Sequence, residues 1–133
     1  MITPCEVAVK SVVPAIKALV ACELVEKHGL KQDEVAEILG ISQSAVSKYT
    51  GKTRGYVIRV DDIEDVRPMI NSMIALLLDR DYERNELLAS FCQTCAIVRK
   101  SSLMCEFCRK SEPKLEIEDC SFCLASNSRP NRR

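Results

Sequence analysis

The sequence is poor in the features that most enzyme sites and membrane segments require. Its 133 residues include a single histidine, His28, and four glycines that form no glycine-rich phosphate loop. No nucleophile has an evident base, so the chain offers no catalytic constellation. It has no run of roughly 18 apolar residues that could span a membrane, and no charged leader followed by a long apolar stretch. We therefore expect a cytoplasmic protein that is not an enzyme.

The sequence also lacks net charge, because 19 basic residues balance 19 acidic ones. The charges are unevenly distributed: residues 1–60 and 92–133 are basic overall, and residues 61–91 are acidic. Nucleic-acid binding depends on local rather than total charge. The segment from residue 42 to residue 60 has no acidic residue, and we predict a phosphate-facing surface from its four basic ones, which are Lys48, Lys52, Arg54 and Arg59.

Cysteine is scarce in residues 1–91, which contain only Cys5 and Cys22, and abundant in residues 92–133, which contain six. We interpret this shift as a domain boundary. The expected organisation is a mainly helical chain with a DNA-binding domain in residues 1–60, a helical dimerisation or linker segment in residues 61–91, and a cysteine-rich metal-binding module in residues 92–133. The last module ends in a polar, flexible tail. Cys5 and Cys22 lie on predicted helices and are expected to be buried packing residues.

Two helices are predicted near the N-terminus. Thr3 and Glu6 have the spacing of a capping box, and Pro4 suits the first position of a helix. Pro14 would be costly inside a helix because it lacks an amide donor. The pattern therefore predicts a short helix followed by a longer one that begins near Pro14.

Residues 32–51 have the pattern of two helices that meet at a steep angle through a tight turn. Ala36 provides the small residue where the second helix crosses the first, and Gly40 tolerates the positive φ of the turn. The positions that should face the core are all apolar or aromatic: Val35, Leu39, Ile41, Val46 and Tyr49. These requirements are met together, which makes the pattern specific.

On these residues, the segment 30–52 resembles the helix-turn-helix of the Xre/Cro/phage-repressor family, including a terminal glycine followed by a basic residue. The wider run 4–55 resembles archaeal transcriptional regulators of that class. The resemblance implies that residues 43–49 lie in the major groove of a double-stranded DNA operator. The residues expected to reach bases are Ser42, Gln43, Ser44, Ser47 and Lys48, with Gln43 able to pair with adenine. Gln32, Lys52 and Arg54 would contact phosphate.

A helix in the acidic middle segment carries a regular apolar seam. Its apolar residues are spaced alternately by three and four: Ile63, Val66, Ile70, Met73 and Leu77. This spacing keeps one face towards a partner helix, as in a coiled coil. We expect homodimerisation through this seam, and the alternative is a helix packed on its own domain. A further helix is predicted from Tyr82 to about Phe91.

Three CxxC pairs follow, and such spacing is a strong metal signal in a reducing compartment. The expected ligands are Cys92, Cys95, Cys105 and Cys108, with Cys120 and Cys123 as additional or substitute ligands. A single zinc ion needs four thiolates, whereas the surplus of thiols favours an iron-sulfur cluster and a redox or oxygen sensor. The spacing does not choose between these two cofactors. Regulators of the class named above often end in a similar CxxC-containing segment.

Two other functions compete with a sensing regulator. A zinc-ribbon adaptor would share the fold and recruit proteins to DNA or to the RNA polymerase machinery without sensing. A thiol-disulfide oxidoreductase would use one CxxC pair as its redox couple. The second alternative predicts alternating strands and helices, which the helix-rich pattern does not have.

Overall fold

The computed structural model describes residues 1–51, 58–79 and 81–116, together with Cys120 and Cys123. Within these ranges the fold is mainly helical, as predicted, and contains no β-strand. None of the helices in the described part of the chain is both long and apolar enough to cross a lipid bilayer. The elements are α1 (Pro4–Lys10), α2 (Val12–Glu26), α3 (Gln32–Leu39), α4 (Gln43–Thr50), a 3₁₀ turn (Val60–Asp62), α5 (Val66–Asp79), α6 (Arg84–Lys100) and α7 (Cys105–Ser111).

The two helices predicted near the N-terminus are both present. The Thr3 hydroxyl accepts a hydrogen bond from the Glu6 amide, and the Glu6 carboxylate accepts one from the Thr3 amide, which completes the capping box of α1. Pro14 lies in the first turn of α2, where the helix needs no amide donor. The proline therefore separates a short helix from a longer one, and the prediction is confirmed.

The longer of these helices, α2, is the central element of the structure. It contacts α1, α3, α4, α5, α6 and the 3₁₀ turn. A helix enclosed in this way has to be apolar around most of its circumference, and nine of its fifteen residues are buried. Glu23 is the one carboxylate among them, and it forms ion pairs with Arg67 of α5 and with Lys27. The pair with Arg67 joins α2 to α5, and the pair with Lys27 lies at the last turn of α2.

The apolar seam of the middle segment lies inside the monomer. Val66, Ile70, Met73 and Leu77 are all fully buried, and α5 packs chiefly against α6 and also contacts α2. The expectation that this seam faces a second copy is therefore wrong, because helices of the same chain cover it. Homodimerisation itself stays a prediction and requires another surface.

The helix that precedes the first cysteine pair is longer than predicted. α6 does not end near Phe91 but continues to Lys100, so Cys92 and Cys95 lie on a helix that packs on α2 and α5. The predicted boundary between residues 91 and 92 falls inside this helix. The tail predicted at residues 127–133 lies outside the described residues.

Candidate nucleic-acid interface and cysteine cluster

The connection between α3 and α4 has the geometry that the sequence predicts. Gly40 ends α3 with φ at 67°, and its amide donates to the carbonyl oxygens of Ala36 and Glu37. The Ile41 amide also donates to Ala36, at 3.0 Å. A left-handed residue at this position favours glycine. The turn thereby fixes the direction in which α4 leaves α3.

One side of α4 is anchored in the core. Val46 is fully buried and Tyr49 is 6% exposed. The Cys22 thiol of α2 donates to the Tyr49 carbonyl oxygen at 3.3 Å, which confirms that Cys22 is a buried packing residue. α2 and α4 make an extensive contact. The orientation of α4 is therefore set by the central helix as well as by the turn.

The opposite side of α4 faces solvent. Ser42 is the N-cap of the helix, and its hydroxyl accepts a hydrogen bond from the Ala45 amide at 3.0 Å. This cap satisfies one of the amides that an isolated helix start leaves without a partner. The five residues predicted to reach bases are exposed together on this end of the structure: Ser42, Gln43, Ser44, Ser47 and Lys48.

The structure describes only some of the residues that are predicted to face phosphate. The Gln32 side chain is half-buried, and its amide donates to the Thr50 hydroxyl at 3.3 Å. It therefore links the start of α3 to the end of α4. Lys52 and Arg54 lie outside the described residues. Arg59 pairs with Asp61 at 3.4 Å and with Asp62 at 3.9 Å, so nearby carboxylates offset its charge within the predicted basic surface.

A second site surrounds Arg99, on the last turn of α6. The Arg99 Nε atom donates to the Cys123 sulfur at 3.4 Å, and its Nη1 atom approaches the Cys5 sulfur at 3.9 Å. Cys5 is exposed, so its prediction as a buried packing residue is wrong. A thiol on α1 thus lies beside the cysteine pairs, although 94 residues separate it from Arg99. Nothing in the CxxC spacing points to this seventh thiol.

The first cysteine pair interacts electrostatically with the third. Burial raises the pKa of the Cys95 thiol. The positive charge of Arg99 opposes this rise, and negative charge on Cys92 or Cys123 adds to it. The pKa of the Cys95 thiol therefore depends on the charge of its own CxxC partner and of a cysteine of the third pair.

The second cysteine pair also lies close enough to the third for their charges to interact. Burial raises the pKa of the Cys108 thiol, and charge on Cys123, Cys105 and Cys120 raises it further. We call the six cysteines of the three CxxC pairs the cysteine cluster. Among the described residues, no three cysteine, histidine or carboxylate side chains converge on a common metal position. The cluster brings sulfur donors near one another without arranging them as a finished coordination shell.

Comparison with known proteins identifies the first of these two sites. Residues 23–50, from the end of α2 through α4, match a family model described as helix-turn-helix. No curated protein and no solved structure matches the chain. The predicted helix-turn-helix is confirmed. Helix-turn-helix motifs are typical of DNA-binding transcriptional regulators, which bind double-stranded DNA.

Proposed function

We propose that this chain is a sequence-specific transcriptional regulator that reads an operator with α4 and carries a sulfur-ligated metal centre in its cysteine cluster. The observation that supports operator reading best is the two-sided character of α4. Val46 and Tyr49 fix one side on α2, while the other side presents polar side chains to solvent. A recognition helix needs this combination, because base contacts require side chains held in a defined register.

Gln43 is the residue that we assign to base reading. It occupies the first position of α4 and is exposed. The N-terminal residues of a recognition helix are the ones that reach base edges, and a glutamine amide can pair bidentately with adenine. Ser44 and Ser47 offer further hydroxyls on the same exposed surface. Lys48 and the predicted phosphate contacts of Gln32, Lys52 and Arg54 would hold the helix in the groove.

Regulators that read an operator commonly bind as pairs, with two recognition helices one DNA turn apart. We therefore retain a homodimer as part of the proposal. The partner surface has to lie outside the seam of α5, because that seam is covered within the monomer. The resemblance to archaeal regulators of the Xre/Cro class supports the same arrangement and does not specify the surface.

The cysteine cluster fits a metal that prefers thiolate ligands. Zinc and iron-sulfur clusters both take cysteine sulfur. A zinc ion would use one set of four, with Cys92, Cys95, Cys105 and Cys108 as the first choice. An iron-sulfur cluster would make the regulator sensitive to oxygen or redox state, because its loss would release the helices that carry the ligands. Arg99 would offset part of the negative charge of the bound thiolates.

Operator reading is tested by selecting genomic fragments with the full chain at several salt concentrations. We expect retention that depends on sequence and falls as salt rises from about 50 to 200 mM. Gln43→Ala should weaken binding to the selected site by about 1–3 kcal/mol and relax the preference at one base pair. Gln93→Ala is the matched control, since Gln93 is an exposed glutamine on α6. Equal effects of both substitutions would contradict the assignment of Gln43.

The metal is tested by anaerobic purification followed by metal and sulfide analysis and a visible absorption spectrum. Iron with labile sulfide and a brown colour would support cluster-based sensing. Stoichiometric zinc without colour would overturn it and favour the zinc-ribbon adaptor, with RNA polymerase machinery as a partner to test. Cys108→Ser should lower the metal content, and Cys22→Ser, which alters a buried cysteine of α2, should leave it unchanged.

A further inference from the structure

A cavity of about 480 Å³ lies between α2 and α6 and reaches the end of α3. We call it the α2–α6 cavity. Its walls are largely apolar and include Val13 and Ile16 from α2, Leu87 and Phe91 from α6, and Leu39 from α3. Cavities of about 300–1,000 Å³ with apolar walls and a few polar groups are typical binding sites for small organic molecules. The size and lining of this cavity fall in that class.

The lysine and arginine side chains are the formally charged residues that line the cavity. Three cationic side chains contribute to its wall, Lys17 from α2 and Arg84 and Arg99 from α6. None of the residues that line it is acidic. The Arg99 guanidinium already contacts cysteine sulfurs. We therefore assign anion binding to Lys17 and Arg84. Cations beside apolar walls complement a molecule with an apolar body and an anionic group.

The cavity also adjoins the turn that orients the recognition helix. Leu39, which lines it, is the last residue of α3, and Gly40 follows directly. The Arg84 Nη2 atom lies 3.6 Å from the position that a Cβ atom on Gly40 would occupy. Cys92 and Cys95 of α6 also line the cavity. A molecule held by Arg84 would therefore touch the elements that position α4 and the helix that carries the first cysteine pair.

We propose that the α2–α6 cavity binds a small organic carboxylate with an apolar body, and that its occupancy changes the affinity of α4 for DNA. The first part goes beyond the proposed function and does not require it. The second part rests on the proposed function. Lys17 and Arg84 would hold the carboxylate, and the apolar walls would exclude water from the rest of the molecule.

The first part is tested with decanoate as the probe, by titration calorimetry on the full chain purified anaerobically, below the micellar range of the probe. We expect saturable binding with one site per chain. Decanol and decylammonium, which have the same chain without the negative charge, should bind at least about tenfold more weakly. Equal binding of the three compounds, or no binding of decanoate, would overturn the proposal.

Two variants locate the site. Lys17→Met together with Arg84→Met should weaken decanoate binding by at least about tenfold. Lys10→Met together with Lys110→Met removes the same charge from exposed positions of α1 and α7 that do not line the cavity, and binding should stay unchanged. Circular dichroism of both variants checks that they are folded. Equal losses in both would mean that decanoate responds only to overall charge, which would overturn the assignment of the site.

The second part is tested by measuring affinity for the selected operator with and without decanoate. A shift that appears in the unsubstituted chain and disappears in the Lys17 and Arg84 double variant would support the coupling. An unchanged affinity, with decanoate shown to bind by calorimetry, would overturn it. If no operator is selected at all, the proposed function fails, whereas the calorimetric result still decides whether the cavity binds a carboxylate.

Discussion

The helix-turn-helix and the cysteine cluster are held by different forces. α4 is fixed by fully buried apolar contacts, by the turn at Gly40 and by the hydrogen bond from Cys22. α7, in contrast, has seven residues, and Cys108 is the one that is buried. The Arg99–Cys123 hydrogen bond joins the third cysteine pair to α6. The first region is therefore held mainly by packing, whereas we propose that a metal bound by the thiols would add to the stability of the second.

The largest effect should come from the core beneath the helix-turn-helix. Leu24 of α2 is fully buried, and truncating such a leucine to alanine costs about 2–5 kcal/mol of stability through lost transfer energy and a residual cavity. We expect Leu24→Ala to lower the free energy of unfolding by this amount in urea titrations. Leu103→Ala, at a 40% exposed leucine between α6 and α7, is the matched control and should change it by less than about 0.5 kcal/mol. Similar losses would mean that the burial of Leu24 does not account for the effect of its truncation.

The next effect concerns the one buried carboxylate of α2. Removing one partner of a buried ion pair costs about 3–5 kcal/mol. Arg67 is 38% exposed and Glu23 keeps Lys27 at 3.3 Å, so we expect a smaller cost for Arg67→Met, about 2 kcal/mol. Lys27→Met, at a 64% exposed partner, should cost less than about 1 kcal/mol. Urea titrations of both variants measure the difference, and the reverse order would show that Lys27 rather than Arg67 compensates Glu23.

A third experiment separates the regions directly. If a metal holds the cysteine cluster, its removal by a chelator under reducing conditions should loosen α7 and leave α4 in place. We expect amide hydrogen exchange in α7 to accelerate by at least about tenfold, while exchange in α4 changes by less than about twofold. Mass spectrometry of peptides from each helix measures both rates. Parallel acceleration in the two helices would show that the regions unfold as one unit.

The same contrast explains which features the sequence predicts. The capping box at Thr3, the helix interruption at Pro14 and the turn at Gly40 depend on neighbouring residues along the backbone, so residue types at fixed spacing determine them. The burial of Val46 and Tyr49 follows for the same reason, since both lie on one side of a short helix.

The features that sequence reasoning missed depend on distant parts of the chain. The spacing from Val66 to Leu77 predicts that one face of α5 is buried, but it does not say that α6 rather than a second copy covers that face. A CxxC pair fits one turn of a helix as well as a ligand-bearing turn, because residues three apart share a helical face. For this reason the sequence pattern predicts an end of α6 that is too early, near Phe91 instead of Lys100. Cys5 joins the other thiols only through the tertiary structure.

The smallest effect should come from the cap of the recognition helix. The Ser42 hydroxyl accepts from the Ala45 amide at 3.0 Å, and replacing an N-cap serine by alanine costs about 1 kcal/mol. We expect Ser42→Ala to lower the free energy of unfolding by that amount and to increase exchange of the first amides of α4.

Ser42→Asp should restore the cap, because a carboxylate also accepts this hydrogen bond, but it would place negative charge where we propose that DNA lies. A variant that regains stability and still binds the selected operator poorly would therefore separate the folding role of this position from its position at the interface. Full recovery of both would contradict the placement of Ser42 against DNA, since a carboxylate there would be repelled by the phosphate backbone.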